Sequence, residues 1–309
     1  MPLFLNEEDV RSVLDPAVTV EAIEGSFARM ARGVVDIAPR RRLELDEGRL
    51  ADMAAADVEL GYAGAKVYAG FGEGTSFAVA LFAADRPELV AVVEADWLGR
   101  LRTGAASGVA AKHLARDGAS TLGVIGCGDQ AETQVACIRA AVPSIETVVA
   151  YCRTERNLQD FCKRVGASVG ESHRDAAAQD IVVTITTSRD PVLRGEWLRA
   201  GTLVCAAGAN NGSSRELDNV VLERASFVCC DWLPQARKES ADLIEPVETG
   251  VLDWLEVHEL HEVVGGDLPG RQSDDDIVVF KSNGIAAWDI AAAAAAVERA
   301  RERGVGTEL

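Results

Sequence analysis

The hexapeptide GCGDQA at residues 126–131 has the glycine spacing of a loop that holds the pyrophosphate of a dinucleotide. In such a loop the first glycine allows a tight turn, the second lets the backbone approach the phosphates, and a small third residue lets helix and strand pack closely. The motif alone is weak, but the apolar run TLGVIG precedes it and helix-forming residues follow it, as the fingerprint requires. It therefore predicts a cofactor site formed by Gly126, Gly128, Asp129, Gln130 and Ala131.

The end of the next apolar run bears on the choice between NAD and NADP. NAD-binding folds usually place Asp or Glu there, about 20 residues past the loop, to bind the ribose 2′-hydroxyl. Here the run ends in AYCRTER, with Arg153 and Thr154 at that place and Arg156 nearby. A guanidinium binds phosphate through charge-assisted hydrogen bonds. The sequence favours NADP, with NAD as the other possibility.

The elements around the loop predict the fold class. Between residues 118 and 285, apolar runs without polar alternation are interleaved with helical segments, which is typical of a parallel sheet buried on both faces. The expected fold is α/β: a Rossmann-type doubly wound parallel sheet plus a smaller, discontinuous α+β domain. Residues 1–117, with two helices and then strand-like runs, and the last helix in residues 286–309 are assigned to this smaller domain. A long Ala-rich helix ending at Gly118 is expected to bridge the two.

Composition limits the classes of partner and compartment. The formal charge of −18 disfavours nucleic acid, which needs basic residues to displace its counterions, and equally an anionic membrane surface. The apolar run IAAAAAAV is too short to span a bilayer. Seven cysteines without a CxxC pair are best explained as free thiols in a reducing cytoplasm. We expect a cytoplasmic protein whose partner is a small molecule.

Five segments in this order resemble the ornithine cyclodeaminase/μ-crystallin family: LRTGAASGVAAKHLAR, GVIGCGDQA, GEWLRAGTLVCAAGAN, RELD and VVFKSNGIAAWD. The resemblance extends over nearly the whole chain. The family contains ornithine and lysine cyclodeaminases, archaeal-type alanine dehydrogenases, ketimine or cyclic-imine reductases and μ-crystallins. It implies a homodimer in which each chain combines a Rossmann domain with a smaller dimerisation and substrate domain.

The resemblance also implies three cationic substrate residues. They are Arg40 on the first strand, with Arg41 and Arg42 close enough to blur the assignment, Lys66 after Gly-Ala, and Arg102 of the Arg-Thr pair. The family places such cations around an α-amino or α-imino acid. Chemistry agrees, because a guanidinium binds a carboxylate in a bidentate manner and a lysine of lowered pKa can polarise or protonate an imine. Taken alone, each cation would more often be a solvated surface residue.

One substitution separates this chain from the cyclodeaminases. In those enzymes an Asp follows the Gly-rich end of the fourth Rossmann strand, and here Asn210 takes its place. An amide cannot act as a carboxylate base. Asn210 therefore argues against ornithine cyclisation and leaves hydride transfer to an α-imino acid possible. A shortened loop is also expected directly after Lys66, in VYAGFGEGTS.

Four further residues are assigned to the cofactor: Thr103 beside Arg102, Thr187 and Ser188 at the end of a predicted strand, and Ser282 where the chain leaves the cofactor domain. Strand ends are where ligands bind in such sheets. His258 and His261 lack the HExxH spacing, so no metal site is predicted.

These observations predict an enzyme that uses NADPH or NADH to reduce an α-imino acid, a ketimine or cyclic imine, to an amino acid, or runs the reverse dehydrogenation. One alternative is an ornithine cyclodeaminase-type lyase with tightly bound NAD. The other is a non-catalytic protein of the crystallin type that binds NADP or a small ligand. Substituting Lys66 distinguishes the enzyme from the binding protein.

Overall fold

The computed structural model describes residues 1–72 and 74–309. The chain divides into two compact units, one of residues 1–102 and 285–309 and the other of residues 103–284. The division falls inside one continuous helix, Asp96–Leu114, at Arg102, whereas the sequence placed the domain boundary after residue 117. That helix ends at Leu114, four residues before the expected Gly118, which lies instead in the turn that follows (φ 71°).

The strands are β1 (Leu3–Leu5), β2 (Val35–Leu45), β3 (Gly48–Asp57), β4 (Tyr62–Phe71), β5 (Gly74–Ala83), β6 (Leu89–Glu94), β7 (Thr121–Ile125), β8 (Thr147–Tyr151), β9 (Ser168–Val169), β10 (Ile181–Thr184), β11 (Leu203–Ala206), β12 (Phe227–Cys230), β13 (Val257–Glu259), β14 (Val278–Lys281) and β15 (Thr307–Glu308). The helices are α1 (Glu7–Val13), α2 (Pro16–Ala31), α3 (Asp96–Leu114), α4 (Ala131–Ala141), α5 (Glu155–Val165), α6 (His173–Ala177), α7 (Asn219–Glu223), α8 (Leu233–Glu239), α9 (Ala241–Glu248), α10 (Leu260–Val264) and α11 (Ala286–Arg303), with a 3₁₀ turn at Gly195–Trp197.

The first unit is built on a mixed sheet in the order β15-β1-β6-β5-β4-β3-β2. Strands β2 to β6 pair antiparallel, while β1 pairs parallel with β6. Helix α11 packs on one face of β2–β5 and also against α2, where Phe27 and Trp288 meet edge to face at 5.3 Å. Because side chains alternate along a strand, every second residue of β3, β4 and β5 faces this helix.

Strand β2 contains Pro39, which a central strand would not tolerate because proline cannot donate a ladder hydrogen bond. β2 is the edge strand, and its register with β3 shifts between Ala38 and Arg41. The proline therefore lies in a bulge. Bulges re-aim neighbouring side chains, and here the next residue is Arg40.

The segment after Lys66 is mostly strand rather than the shortened loop expected from the sequence. β4 continues for five residues beyond Lys66 to Phe71, and β5 begins at Gly74 with Phe71 paired opposite Gly74. Residue Glu73, within the predicted loop, lies outside the described residues.

The second unit confirms the predicted α/β class. Its eight strands are all parallel, in the order β13-β12-β14-β11-β10-β7-β8-β9. The chain winds outward from β7 in both directions, so the carboxyl ends of β7, β8 and β10 form the topological switch point where such sheets bind ligands. The two-residue strand β9 was not predicted from the sequence. Counting it, β11 is the fifth strand of the parallel sheet in chain order rather than the fourth. In residues 1–72 and 74–309, no helix has the length and apolar character needed to cross a membrane.

Candidate functional site

A buried ionic cluster lies inside the first unit. Lys66 of β4 is 3% exposed, Arg102 of α3 is 7% exposed, and Asp289 of α11 is fully buried. Lys66 Nζ donates to Asp289 Oδ1 over 3.0 Å, and Arg102 Nε donates to the same oxygen over 3.0 Å. One carboxylate thus bridges two cations that the sequence places 36 residues apart.

Burial controls the protonation of this cluster. Burial lowers the pKa of Lys66 from 10.5 to about 8, because an ammonium loses hydration in the interior. The carboxylate of Asp289 opposes this shift, while the positive charges of Arg102 and Arg40 reinforce it. A buried amine whose pKa is lowered to about 8 has the property that a general acid–base group requires.

Two glycines allow close packing around Lys66, Gly64 against α11 and Gly99 against the ammonium itself. Lys66 alternates onto the face of β4 that meets α11, as does Gly64, where a Cβ would come within 2.7 Å of Ile290 Cδ1 and 2.4 Å of Ala80 O. At Gly99 of α3, a Cβ would approach Lys66 Nζ to 3.3 Å. Strand and helices thus come close enough for the ammonium to reach Asp289.

Arg40 lies beside the cluster. Its Nη2 is 3.9 Å from Met53 Sδ, and Met53 pairs directly with Lys66 across β3 and β4. The neighbouring Arg41 instead forms an ion pair with Asp52 (2.8 Å), its side chain 70% exposed. The geometry thus favours Arg40 over Arg41, a choice that the sequence left open.

Two aromatic rings stand next to the ammonium. The rings of Tyr68 and Phe77 lie 5.9 and 5.1 Å from Lys66 Nζ, and their centroids are 5.3 Å apart. Both side chains are only partly buried. They provide an apolar surface beside a cationic centre, which suits a small molecule with one carboxylate and a hydrocarbon part.

Sequence reasoning missed Asp289. Its signal was present, because it is an acid inside the apolar run AAWDIAAAAAAV of a helix whose residues from Ala286 to Ala294 are all buried. Buried acids are almost always paired. What the run could not show is that the partners lie 223 and 187 residues away in the chain.

A second candidate site is a cleft inside the second unit, with a volume of about 240 Å³. It lies at the carboxyl ends of β7, β8 and β10, the switch point of the sheet. Its lining includes Gly126, Gly128, Tyr151, Arg153, Thr154, Asn157, His173, Thr186, Thr187 and Ser188. The sequence analysis gave no role to Tyr151, Asn157, His173 or Thr186, although Tyr151 and Thr186 lie within strand ends that it considered.

The glycine loop fits a dinucleotide. Gly126 has φ 111°, and a Cβ there would meet Ile185 O at 2.4 Å, so the turn requires glycine. At Gly128 a Cβ would meet no atom within 4 Å, so the backbone faces open cleft where a phosphate can approach. Ala131 is fully buried as the first residue of α4, whose N-terminus supplies amide donors for an anion.

The other predicted cofactor residues are placed differently. Asp129 and Gln130 are exposed between Gly128 and α4, outside the described lining of the cleft. Thr103 is buried in α3, and Ser282 is buried after β14, where its backbone amide donates to Ala206 O over 2.9 Å. Neither lines the described part of the cleft.

Asn210 is exposed in the loop after β11, in the second unit.

His258 and His261 have local partners: the His258 ring stacks on Phe227 at 5.1 Å, and His261 Nδ1 lies 3.0 Å from Glu259 Oε2. Residues 1–72 and 74–309 contain no group of three or more His, Cys, Asp or Glu side chains arranged to hold a metal.

Comparisons with known proteins identify the family of the chain. The profile of the ornithine cyclodeaminase/mu-crystallin family matches residues 2–304. The chain is 36% identical to the alanine dehydrogenase of Archaeoglobus fulgidus, over 99% of this chain and 98% of the relative. Among solved structures, it is similar to the Δ1-pyrroline-2-carboxylate reductase of Thermococcus litoralis in complex with NADH and L-proline (TM-score 0.93, 30% identity, 99% and 100% coverage). It is also similar to an archaeal alanine dehydrogenase dimer with bound NAD (TM-score 0.92, 34% identity, 100% and 98% coverage). Because the family profile spans residues 2–304 and a relative is 36% identical over nearly the whole chain, this chain belongs to the ornithine cyclodeaminase/mu-crystallin family.

Proposed function

We propose that this protein is an NAD(P)-dependent oxidoreductase that reduces an α-imino acid to an amino acid, or oxidises the amino acid in reverse. The observation that carries the proposal is the buried Lys66, which shares the carboxylate of Asp289 with Arg102. Burial lowers the pKa of Lys66 to about 8. A reduction of a C=N bond needs one hydride and one proton. A bound nicotinamide cofactor supplies the hydride.

The side chains of the cluster have distinct roles in this proposal. The guanidinium groups of Arg102 and Arg40 bind the substrate carboxylate, which holds the imine in place. Lys66, in its ammonium form, donates a proton to the imine nitrogen, and in reverse its neutral amine removes a proton from the amino group. Asp289 holds Lys66 in position and favours the ammonium form. The aromatic rings of Tyr68 and Phe77 contact the rest of the substrate.

The cofactor is held by the cleft of the second unit. The backbone at Gly126 and Gly128, with the N-terminus of α4, binds the pyrophosphate. Residues at the carboxyl ends of β8 and β10 line the same cleft, including Arg153, Thr187 and Ser188. We assign Thr103, Asp129, Gln130 and Ser282 to its surroundings, and Asn210 to hydrogen bonding with substrate or water.

The test is consumption of NADPH and NADH, followed by absorbance, with a panel of cyclic imino acids and of α-keto acids mixed with ammonia or amines. We expect oxidation of the reduced cofactor with one imine class. Ornithine with NAD is run alongside and assayed for proline and ammonia. Proline formation without net cofactor change would instead establish the cyclodeaminase alternative, and tight cofactor binding without turnover would establish the binding protein.

We propose further that NADP is preferred. The support is Arg153 and Thr154 in the cleft lining, at the strand end where NAD-specific folds carry an acid. The expected result of Arg153→Ala is a Kd for NADPH raised roughly 10- to 100-fold, the value of one or two charge-assisted hydrogen bonds, with the Kd for NADH nearly unchanged. Fluorescence titration measures both constants. Arg199→Ala, an exposed arginine before β11 in the same unit, is the matched control. Equal losses for NADPH and NADH would contradict the preference.

We propose a homodimer formed through the open face of the first unit's sheet. By register, Leu43, Leu45, Val67, Phe71 and Phe82 share the face opposite Lys66, and each is 40–51% exposed. Contiguous exposed apolar residues on one face mark protein interfaces. An archaeal alanine dehydrogenase of the same fold is a dimer. Light scattering is expected to give the mass of two chains.

We also propose that the protein works in the cytoplasm. All seven cysteines are free thiols in the structure. Thiols persist in a reducing compartment, which is the physical support for this location. Cell fractionation checks it.

A further inference from the structure

A buried carboxylate of the second unit lies outside the chemistry described so far. Glu216 is fully buried in the segment between β11 and α7. Its Oε2 accepts hydrogen bonds from Thr184 Oγ1 (3.0 Å), Gly208 N (2.7 Å) and Ala209 N (3.2 Å). Its Oε1 accepts from Thr186 N (2.6 Å) and Thr186 Oγ1 (2.8 Å). Both oxygens of the buried group thus accept hydrogen bonds, two at Oε1 and three at Oε2.

These bonds join the ends of two neighbouring strands. Thr184 and Thr186 lie at the carboxyl end of β10, while Gly208 and Ala209 follow β11. The approach is so close that a Cβ at Gly208 would lie 2.3 Å from Thr186 N and 2.5 Å from Glu216 Oε1. Glu216 therefore sets the path of both loops where they leave the sheet.

A buried ion pair supports Glu216 from behind. Asp242 Oδ1 accepts from the backbone amides of Glu216 (2.8 Å) and Leu217 (3.0 Å). Asp242 Oδ2 lies 3.0 Å from Nζ of the fully buried Lys281, which also donates to Ala209 O over 2.6 Å. The pKa of Glu216 is raised above its ordinary value, chiefly by burial and also by the charge of Asp242, although the charge of Lys281 and the hydrogen bonds from Thr186 oppose the shift.

The position of this network relates it to the cofactor cleft. Thr186, Thr187 and Ser188 line the cleft, and Thr186 Oγ1 also accepts from Ser188 N over 3.2 Å. None of Glu216, Asp242 and Lys281 belongs to the described lining. The other loop that Glu216 holds leads directly into Asn210.

We infer that Glu216 is a positioning residue for dinucleotide binding: its carboxylate, backed by Asp242 and Lys281, holds the β10 end that forms one wall of the cleft. This deepens the proposed function and rests on it for the identity of the ligand. The five hydrogen bonds to Glu216 restrain loops at the ligand-binding end of the sheet. Loops are in general more mobile than strands, and a binding site needs its residues held in place.

The test compares two carboxylates of the same unit. In Glu216→Gln the new amide nitrogen faces a backbone N–H donor whichever way it turns, because each oxygen of Glu216 accepts at least one. The control is Asp180→Asn. Asp180 also accepts five hydrogen bonds, from Arg116, Ser120 and Thr121, but lies at the amino end of β10, away from the cleft.

Both variants are expected to have a lower Tm than the wild type. The Kd for NADH and NADPH, measured by fluorescence titration, is expected to rise roughly tenfold or more in Glu216→Gln and to stay within about twofold in Asp180→Asn. Thr184→Val keeps the β-branched shape and removes a single donor to Glu216, so it is expected to fold and to raise the Kd by a smaller factor. If Glu216→Gln does not fold, Thr184→Val carries the test.

Falling Tm with unchanged Kd in both Glu216→Gln and Thr184→Val would overturn the inference and leave Glu216 a structural residue. Because binding is measured without turnover, a wild-type protein that binds cofactor and reduces no imine would contradict the proposed function and leave this test intact. Failure of the wild type to bind either cofactor would overturn both.

Discussion

Replacing Lys66 by methionine is expected to lower kcat for imine reduction by a factor of about 10²–10⁴, the usual contribution of a general acid. Methionine keeps much of the length and apolar surface of the side chain and removes the proton donor. The Kd for NAD(P)H is expected to be unchanged, because the cofactor cleft is formed by residues of the second unit. Steady-state kinetics and a fluorescence titration measure the two quantities separately.

The matched control is Lys163→Met, on the exposed face of α5, which is expected to leave both constants as in the wild type. Lys66→Arg provides a second comparison, since it keeps the positive charge but releases no proton near neutral pH. Full activity of Lys66→Arg would contradict a proton-donating role and leave Lys66 a fixed charge. Loss of cofactor binding in Lys66→Met would show that the substitution acts through the fold.

The pH dependence of the wild type follows from the pKa of Lys66. Reduction uses the ammonium form, so its rate is expected to fall as pH rises through about 8. Oxidation of the amino acid uses the neutral amine, so its rate is expected to rise through the same range. Lys66→Met is expected to lack both limbs, and a wild-type profile that is flat between pH 7 and 9 would exclude Lys66 as the titrating group.

Asp289→Asn is expected to have the largest effect on stability. It removes a carboxylate that bridges Lys66 and Arg102 and leaves two buried basic side chains next to each other. Breaking such a buried pair lowers the free energy of unfolding by about 3–5 kcal/mol. Denaturant unfolding at pH 7 measures the loss. Asp160→Asn, whose carboxylate forms an exposed pair with Arg156 at 3.9 Å, is expected to cost no more than about 1 kcal/mol.

The stability loss in Asp289→Asn has a defined pH dependence. Asp289 raises the pKa of Lys66, so its removal lowers that pKa below about 8. The folded variant then releases the Lys66 proton at a lower pH than the folded wild type, while the unfolded chains titrate alike near 10.5. Between the two folded-state pKa values the variant gains stability with rising pH and the wild type does not. The difference between them is therefore expected to be greatest at low pH and to narrow toward pH 8, whereas a constant difference would argue against this coupling.

Much of the fold was predictable because its signals are local. The two N-terminal helices, the run from β7 through α5 and the parallel strands follow from apolar periodicity and from glycines at turns. The same locality explains the errors. The two-residue strand β9 is too short to show a period, and the end of α3 lies in a helix-favouring stretch that continues to Gly118. A bulge at Pro39 depends on β2 being an edge strand, which only the pairing of the sheet reveals.

The residues of the candidate sites also fall into two groups, those predicted from short segments and those that depend on contacts between distant parts of the chain. The sequence by itself indicated the glycine loop and the family, because each is encoded in short segments, and the family resemblance then pointed to Lys66 and Arg102 as substrate residues. Only the tertiary structure decided that Asp289 joins those cations, that Arg40 rather than Arg41 lies beside them, and that Glu216 ties β10 to β11. The physical reason is burial: the low-dielectric interior makes a lysine titrate near pH 8 and requires each buried charge to have a partner, and those partners come from distant parts of the chain.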